Sequence, residues 1–538
     1  MNKYLLLISS VLLLSCSQTQ KVANYEIVPM PSEIYVENNK PFILDENCII
    51  CYDEGEQSLK SSAYFLSSYI QEACGQTLKV SQNVSTQKGQ KCIVLLLSDE
   101  ISHPEGYSID IKTDEIIVKA STTQGIFYGV QTLRSSIPHT TSCTLIEMPC
   151  AQIKDAPRFS YRGMHLDVSR HFFSVEFVKE FIDLLALHKM NTLHWHLTDD
   201  QGWRIEIKKY PLLTQIGSVR KHTVIGKNSG KYDGKEHKGY YTQEQIKEII
   251  EYAAQRHVTI IPEIDLPGHM LAALAAYPEY GCTGGPYEVA STWGVFHDVL
   301  CIGNDKSMDF LIQIMDEITD LFPSELVHIG GDEAPRTRWK SCPKCQALIK
   351  KMKLADTNHS PEDLLQSYCM SEIEKYLNKK GKTIIGWDEI LKGKVAPNAV
   401  VMSWQGTVGG IRAAQMGHQV IMAPNTHCYL NYYQHYDIQN EPFAIGGYIP
   451  LQKVYELNPT AGLTAEQAAY ILGAEGTLWS EYITTPKEAE YMLLPRLAAL
   501  AEVQWVSPEK KISSFSTKGC SSNKHLQKIW LGICKAFV

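Results

Sequence analysis

The segment Val327-His328-Ile329-Gly330-Gly331-Asp332-Glu333 ends a short apolar run in two glycines and two adjacent carboxylates. Glycines let a backbone turn sharply and approach a ligand closely. Two neighbouring acids in such a place can take different roles, because differences in burial push their pKa values apart. An isolated Asp-Glu pair reads as a solvated loop capping the next helix, but other apolar runs end in the same way. Their ends carry Asp167 and Arg170; Asp199 and Asp200; Asp265 and His269; Trp387, Asp388 and Glu389; Trp404; Tyr429 and Asn431; Trp479 and Glu481. Each alone has a plain structural explanation, as a surface ion pair, a capped histidine or a packed tryptophan. Their joint failure to be apolar points to chemistry. The chemistry suggested is acetal cleavage: one carboxyl protonates a leaving oxygen while charges hold the hydroxyls of a ring. Trp387, Trp404 and Trp479 could wall a sugar, and Arg170, Asp199 and Glu481 offer charge-assisted hydrogen bonds.

The elements that must position these residues follow a regular order. From residue 155 strand-like runs alternate with helical patterns. The strands are 163–168, 192–197, 259–264, 326–329, 383–387, 399–404, 419–423 and 471–474, the last leading to Trp479. Helices are expected at 175–188, 242–256, 307–321 and 361–380, where apolar residues recur at three- and four-residue spacing. Such alternation means parallel βαβ units, and eight of them fit an α/β, (β/α)8 TIM barrel. In that fold the site collects at the carboxyl ends of the strands. No G-x-G-x-x-G follows any strand, which argues against a dinucleotide site. Residues 16–153 read as a smaller α+β accessory domain, with helices at 58–74 and 123–137 and strands at 92–97 and 115–120. The barrel is expected over 154–507 and an atypical tail over 508–538.

The chain has 538 residues and a formal net charge of -8, which argues against a nucleic-acid partner. Met1-Asn2-Lys3, the apolar run Tyr4 to Leu14 and Ser15-Cys16 form a positively charged start, a short apolar stretch and a small residue before a cysteine. That run is too short to span a bilayer. Residues 1–15 resemble a bacterial lipoprotein signal, which implies cleavage before Cys16, acylation there, and a membrane association through the lipid alone. The expected location is the periplasm or outer membrane of a Gram-negative bacterium. The absence of an acidic cluster after Cys16 points to the periplasmic side. The odd count of 15 cysteines fits one being lipidated. Cys282 and Cys301 bracket a Gly-rich loop and could close it as a disulfide. Cys342-Pro343-Lys344-Cys345 looks like half a zinc ribbon. No second ligand pair follows it at a suitable spacing, so a tight disulfide or two free thiols is expected.

The barrel segment resembles glycoside hydrolase family 20, the β-N-acetylhexosaminidases. The resemblance runs through Gly163-Met164-His165-Leu166-Asp167-Val168-Ser169-Arg170-His171, His194-Trp195-His196-Leu197-Thr198-Asp199-Asp200, Pro262-Glu263-Ile264-Asp265-Leu266-Pro267-Gly268-His269, His328-Ile329-Gly330-Gly331-Asp332-Glu333, Trp387-Asp388-Glu389, Tyr429-Leu430-Asn431 and Trp479-Ser480-Glu481. It covers residues 155 to 507, and the preceding domain resembles the family's usual N-terminal domain. The resemblance implies hydrolysis of terminal β-linked GlcNAc or GalNAc from glycans by substrate-assisted catalysis. It makes Glu333 the general acid, then the base. Asp332 orients and charges the substrate's 2-acetamido group, whose carbonyl oxygen is the nucleophile and is held by Tyr429. Asp199 and His269 resemble a pair that supports Glu333. Arg170, Glu481 and Asn431 would bind hydroxyls, although many relatives carry Asp at the place of Asn431. Trp387, Trp404 and Trp479 would enclose the acetamido methyl and the ring. The physics agrees, because acids adjacent in a chain cannot easily face each other across a sugar as acid and nucleophile.

No metal or cofactor is implied, and His194 and His196 are expected to be packing residues. A relative releasing a disaccharide, as a lacto-N-biosidase does, a sugar-binding lipoprotein with a decayed site, and a metal-dependent hydrolase on the His and Asp clusters are the alternatives. The last ~20 residues depart from the family's usual closing helix. Plausible codons for 518–537, read one base over, restore a helix-like sequence, so a frameshift near residue 518 is expected.

Overall fold

The computed structural model describes residues 21–53, 55–82, 90–139 and 145–509. The signal segment with Cys16 and the frameshift reading near residue 518 both lie outside the described residues. The described residues form two compact units: one holds those before Ile27 and those from Glu33 to Lys154, the other Ile27–Ser32 and those from Asp155 onward.

In the first unit a seven-stranded sheet has the order 33–36, 151–155, 107–111, 115–120, 92–97, 49–52, 79–81. Tyr107–Ile111 and Glu115–Ala120 alternate between buried and half-buried residues, the period-two pattern of strands with one face in a core. Lys60–Cys74 and Thr123–Ser136 pack against each other and against this sheet.

The second unit is the expected barrel. Its strands are β1 (Tyr161–Asp167), β2 (Thr192–His196), β3 (Thr259–Leu266), β4 (Leu326–Gly330), β5 (Thr383–Trp387), β6 (Val400–Ser403), β7 (Val420–Met422) and β8 (Ile471–Gly476). They close in that order, with β8 pairing in parallel with β1. Helices α1 (Val175–Leu187), α2 (Gln243–Ala254), α3 (Asp305–Leu321), α4 (Pro361–Lys379), α5 (Val408–Gln415) and α6 (Arg496–Trp505) are among the connecting elements. Ser174, Thr242 and Ser360 accept hydrogen bonds from the first-turn amides of α1, α2 and α4, which fixes where those helices begin. β5 departs from the regular pattern, because only the 3-10 turn Asp388–Lys392 separates it from β6. The strands are buried on both faces, as in other all-parallel sheets.

The cysteine expectations need correction. Cys282, Cys301, Cys342 and Cys345 are all free and lie together, so no disulfide closes the loop between the first two. Cys342 and Cys345 are free thiols, one of the two states expected for them. No helix among the described residues is long and apolar enough to cross a membrane.

Candidate active site

One pocket at the carboxyl ends of the barrel strands is lined by Arg170, His269, Asp332, Glu333, Trp387, Trp404, Tyr429, Asn431, Tyr432, Ile445, Trp479 and Glu481. Every site residue expected from the sequence is in this wall except Asp199, which lies behind His269 and Arg170.

Local backbone geometry delivers the two acids. β4 ends at Gly330 with φ 63°, Gly331 follows with φ 95°, and Glu333 itself sits at φ 41°. A Cβ on Gly330 would lie 1.7 Å from Oδ1 of Asp265, so only glycine fits where the chain leaves the strand. His269, in the loop after β3, also adopts a left-handed φ of 50°. Non-glycine residues in that region carry strain of about 1–3 kcal/mol, which the surrounding structure must offset.

The turn gives adjacent residues opposite surroundings. The side chain of Asp332 is 12% exposed, whereas that of Glu333 is 38% exposed. Burial, with Glu389, Glu263 and Glu333 nearby, pushes the Asp332 carboxyl up to about 7 against the pull of His269. The His269 imidazole beside it holds Glu333 below the usual glutamate value. Burial opposes charge on His269, but Asp199 and the hydrogen bonds to it, Asp200 and Glu333 raise its pKa well above the ordinary value.

A chain of hydrogen-bonded groups leads from the barrel interior to His269, which faces Glu333. Glu263 contacts Nδ1 of His196 at 2.5 Å, and Nε2 of His196 contacts Oδ2 of Asp199 at 2.8 Å. The other oxygen of Asp199 is 3.1 Å from Nδ1 of His269, which also lies 3.0 Å from Asp200. Nε2 of His269 then faces Glu333 at 3.5 Å and Asp332 at 3.7 Å. The roles of Glu263, His196 and Asp200 were missed in the sequence. The available signal was a glutamate inside the buried strand β3, which requires polar partners. His194, His196 and His328 all face Glu263. Burial opposes charge on each, but Glu475 and Glu263 raise His194 to about 9, and Glu263 and Asp199 raise His196 to about 10, so these two form buried ion pairs rather than simple packing. Burial lowers His328 instead, so it meets Glu263 as a neutral ring.

The ligand-facing groups divide into satisfied and unsatisfied. Nε1 of Trp387 donates to Glu263 at 2.9 Å, and Nε1 of Trp404 to Glu389 at 2.8 Å, so both rings are locked. Arg170 uses three of its five N–H donors on Gln201, Asp167 and Asp199, and stacks over Trp479 at 4.9 Å. Oδ1 of Asp332, Oδ1 of Asn431, Oε2 of Glu481 and Nε1 of Trp479 are buried and have no hydrogen-bond partner among the described residues. Buried polar atoms are normally paired, so these pocket-lining residues have unused capacity for a polar ligand. Trp404 and Tyr429 are stacked at 6.0 Å, and Tyr429 and Trp479 approach at 6.5 Å. The result is an aromatic-walled pocket with unpaired polar atoms, one acid at its wall and another in its depth.

Comparisons with known proteins agree with this geometry. Residues 159–508 match the model for the glycosyl hydrolase family 20 catalytic domain, and residues 24–156 match that family's domain 2. A beta-hexosaminidase from Porphyromonas gingivalis is 42% identical over 93% of this chain. The chain spans 64% of the length of that relative and of one from Vibrio furnissii. Among solved structures, the exo beta-N-acetylglucosaminidase from Vibrio harveyi in complex with N-acetylglucosamine superimposes with a TM-score of 0.80. It is 30% identical, with 96% of this chain and 78% of that one covered. A mutant Streptomyces plicatus beta-hexosaminidase in complex with product (GlcNAc) gives a TM-score of 0.77 at 30% identity, with 91% and 92% covered.

Proposed function

The chain belongs to glycoside hydrolase family 20, and on that premise we propose that it is a retaining, exo-acting β-N-acetylhexosaminidase. The observation that carries this reading is the adjacent pair Asp332 and Glu333, one buried and one half-open, facing a single pocket. The names of the relatives and the GlcNAc in two of them support a terminal N-acetylhexosamine as substrate.

The residues then act as follows. Tyr429 donates a hydrogen bond to the carbonyl oxygen of the 2-acetamido group, and Asp332 accepts one from its N–H. The carbonyl oxygen attacks the anomeric carbon as Glu333 transfers its proton to the leaving oxygen. The bond to the aglycone breaks, and a cyclic oxazolinium ion forms beside the Asp332 carboxylate. Glu333, now ionised, takes a proton from water as that water attacks the same carbon and reopens the ring. Two inversions give net retention. Arg170, Asn431 and Glu481 bind ring hydroxyls, Trp387, Trp404 and Trp479 enclose the sugar, and Asp199 orients His269 against Glu333.

Release of the aryl group from an aryl β-N-acetylglucosaminide, compared with the matching β-glucoside, tests this reading. Turnover confined to the acetamido substrate is expected, and equal turnover of both contradicts it.

The reading extends to location. The sequence of residues 1–17 supports export to the periplasm and attachment by a lipid on Cys16. Labelled palmitate incorporated by the natural chain and lost in Cys16→Ser is the expected result; label retained in the variant overturns it.

A further inference from the structure

Cys282, Cys301, Cys342 and Cys345 come from two different loops and meet at one place. The first two lie in the long connection from β3 to α3, the others between β4 and α4. Their sulfurs are within 4.8 Å of one another. Cys301 is 3.6 Å from Cys342 and 3.7 Å from Cys345, and Cys345 is 3.9 Å from Cys282. Zinc–thiolate bonds of about 2.3 Å in a tetrahedron place the sulfurs about 3.8 Å apart along each edge. The three measured contacts match that edge. They also single out no disulfide partner, since Cys301 and Cys345 each have two near neighbours.

The surrounding backbone matches a metal site. Cys342-Pro343-Lys344-Cys345 runs into the first turn of the helix Pro343–Met352. The Asn304 amide donates to the Cys301 carbonyl at 3.0 Å and the Cys301 amide to the Tyr280 carbonyl at 2.8 Å, which fixes the turn that carries Cys301. A Cβ on Gly303 would lie 2.2 Å from the carbonyl carbon of Lys344, so the two cysteine turns pack backbone to backbone.

We propose that these four cysteines bind one zinc ion as a structural tetrathiolate. The ion fastens the loop that bears His269 to the loop that bears Asp332 and Glu333. Two contacts extend the link: Nε1 of Trp339 donates to the Leu300 carbonyl at 2.9 Å, and the Leu300 amide donates to the Pro267 carbonyl at 3.0 Å. With all four positions taken by sulfur, the ion has no open position for substrate or water and serves structure, not catalysis.

Elemental analysis of the unaltered full chain, purified without a metal-affinity step, tests this. About one zinc per chain is expected. Growth on cobalt should give the visible d–d and sulfur-to-metal bands of a tetrahedral tetrathiolate. Cys342→Ser and Cys345→Ser should each lose most of the zinc and melt at lower temperature. Absence of bound metal from the unaltered chain, or non-reduced peptide maps joining any two of the four cysteines, overturns the proposal. So does a bound iron, recognised by its charge-transfer colour. The metal content is read on the natural chain, so a variant that fails to fold leaves the test intact. Zinc found in a chain without hexosaminidase activity would support this site and refute the hydrolase reading.

Discussion

Nε2 of His269 lies 3.5 Å from Oε2 of Glu333. The same nitrogen lies 3.7 Å from Asp332, so one imidazole faces both carboxylates of adjacent residues. The imidazole beside it lowers Glu333, while burial drives Asp332 up to about 7. With the pocket free of substrate, the single proton of the pair therefore resides mainly on Asp332. The reaction needs it on Glu333. The developing oxazolinium, placed beside Asp332, favours the carboxylate there and frees the proton for Glu333.

This arrangement sets the pH dependence of kcat/KM. The reactive enzyme carries one proton on the pair. Activity rises with pH as the first proton leaves, below the usual glutamate value, and falls as the second leaves at about 7. Such limbs belong to the pair rather than to one residue. In Asp332→Asn only Glu333 titrates, so the basic limb should move to the acid side, below the usual glutamate value. A basic limb that stays near neutral in this variant contradicts the assignment.

Glu333→Gln removes the proton donor. General acid catalysis typically contributes about 10²–10⁴-fold, so kcat on a glycan substrate should fall by that much. A dinitrophenyl aglycone leaves without protonation, and its release should be affected far less. Equal losses on both substrates would show that Glu333 acts in some other way.

Tyr429→Phe deletes one hydroxyl and keeps the ring stacked on Trp404. Loss of a donor aimed at developing charge costs about 10²–10³-fold in kcat. The melting temperature should hardly change. A variant with full activity removes Tyr429 from the mechanism.

Gly330→Ala combines a methyl group 1.7 Å from Asp265 with a φ of 63°. Alanine at a positive φ destabilises by more than about 1 kcal/mol, even without a clash. Urea unfolding should show at least that loss, together with lower kcat, because the same turn places Asp332 and Glu333. Unchanged stability would mean that the turn relaxes easily.

Much of the barrel is legible in the sequence, because its strands are short apolar runs and its helices have clear periodicity. The strand ends are legible for the same reason: Asp332 and Glu333 come two glycines after one apolar run, and Trp479 lies a short way beyond another. What links different strands is harder to read. Glu263 looks like one polar residue in β3, yet it holds His194, His196 and His328 through side chains of neighbouring strands. The cysteine cluster escapes for a related reason: its two halves lie on separate loops, and the pair Cys282 and Cys301 precedes the recognisable Cys342-Cys345 motif. The turn after β5 is a 3-10 segment where the regular pattern would place a helix, since only a dozen residues separate β5 from β6.

The central claim is that the attacking atom belongs to the substrate's own amide. Aryl glycosides whose N-acetyl group carries none, one, two or three fluorines make that carbonyl oxygen progressively less nucleophilic. If that oxygen attacks, kcat must fall steeply along the series. A flat series, with a glycosyl ester of Asp332 or Glu333 trapped by rapid quenching, would place the nucleophile on the protein and contradict the account.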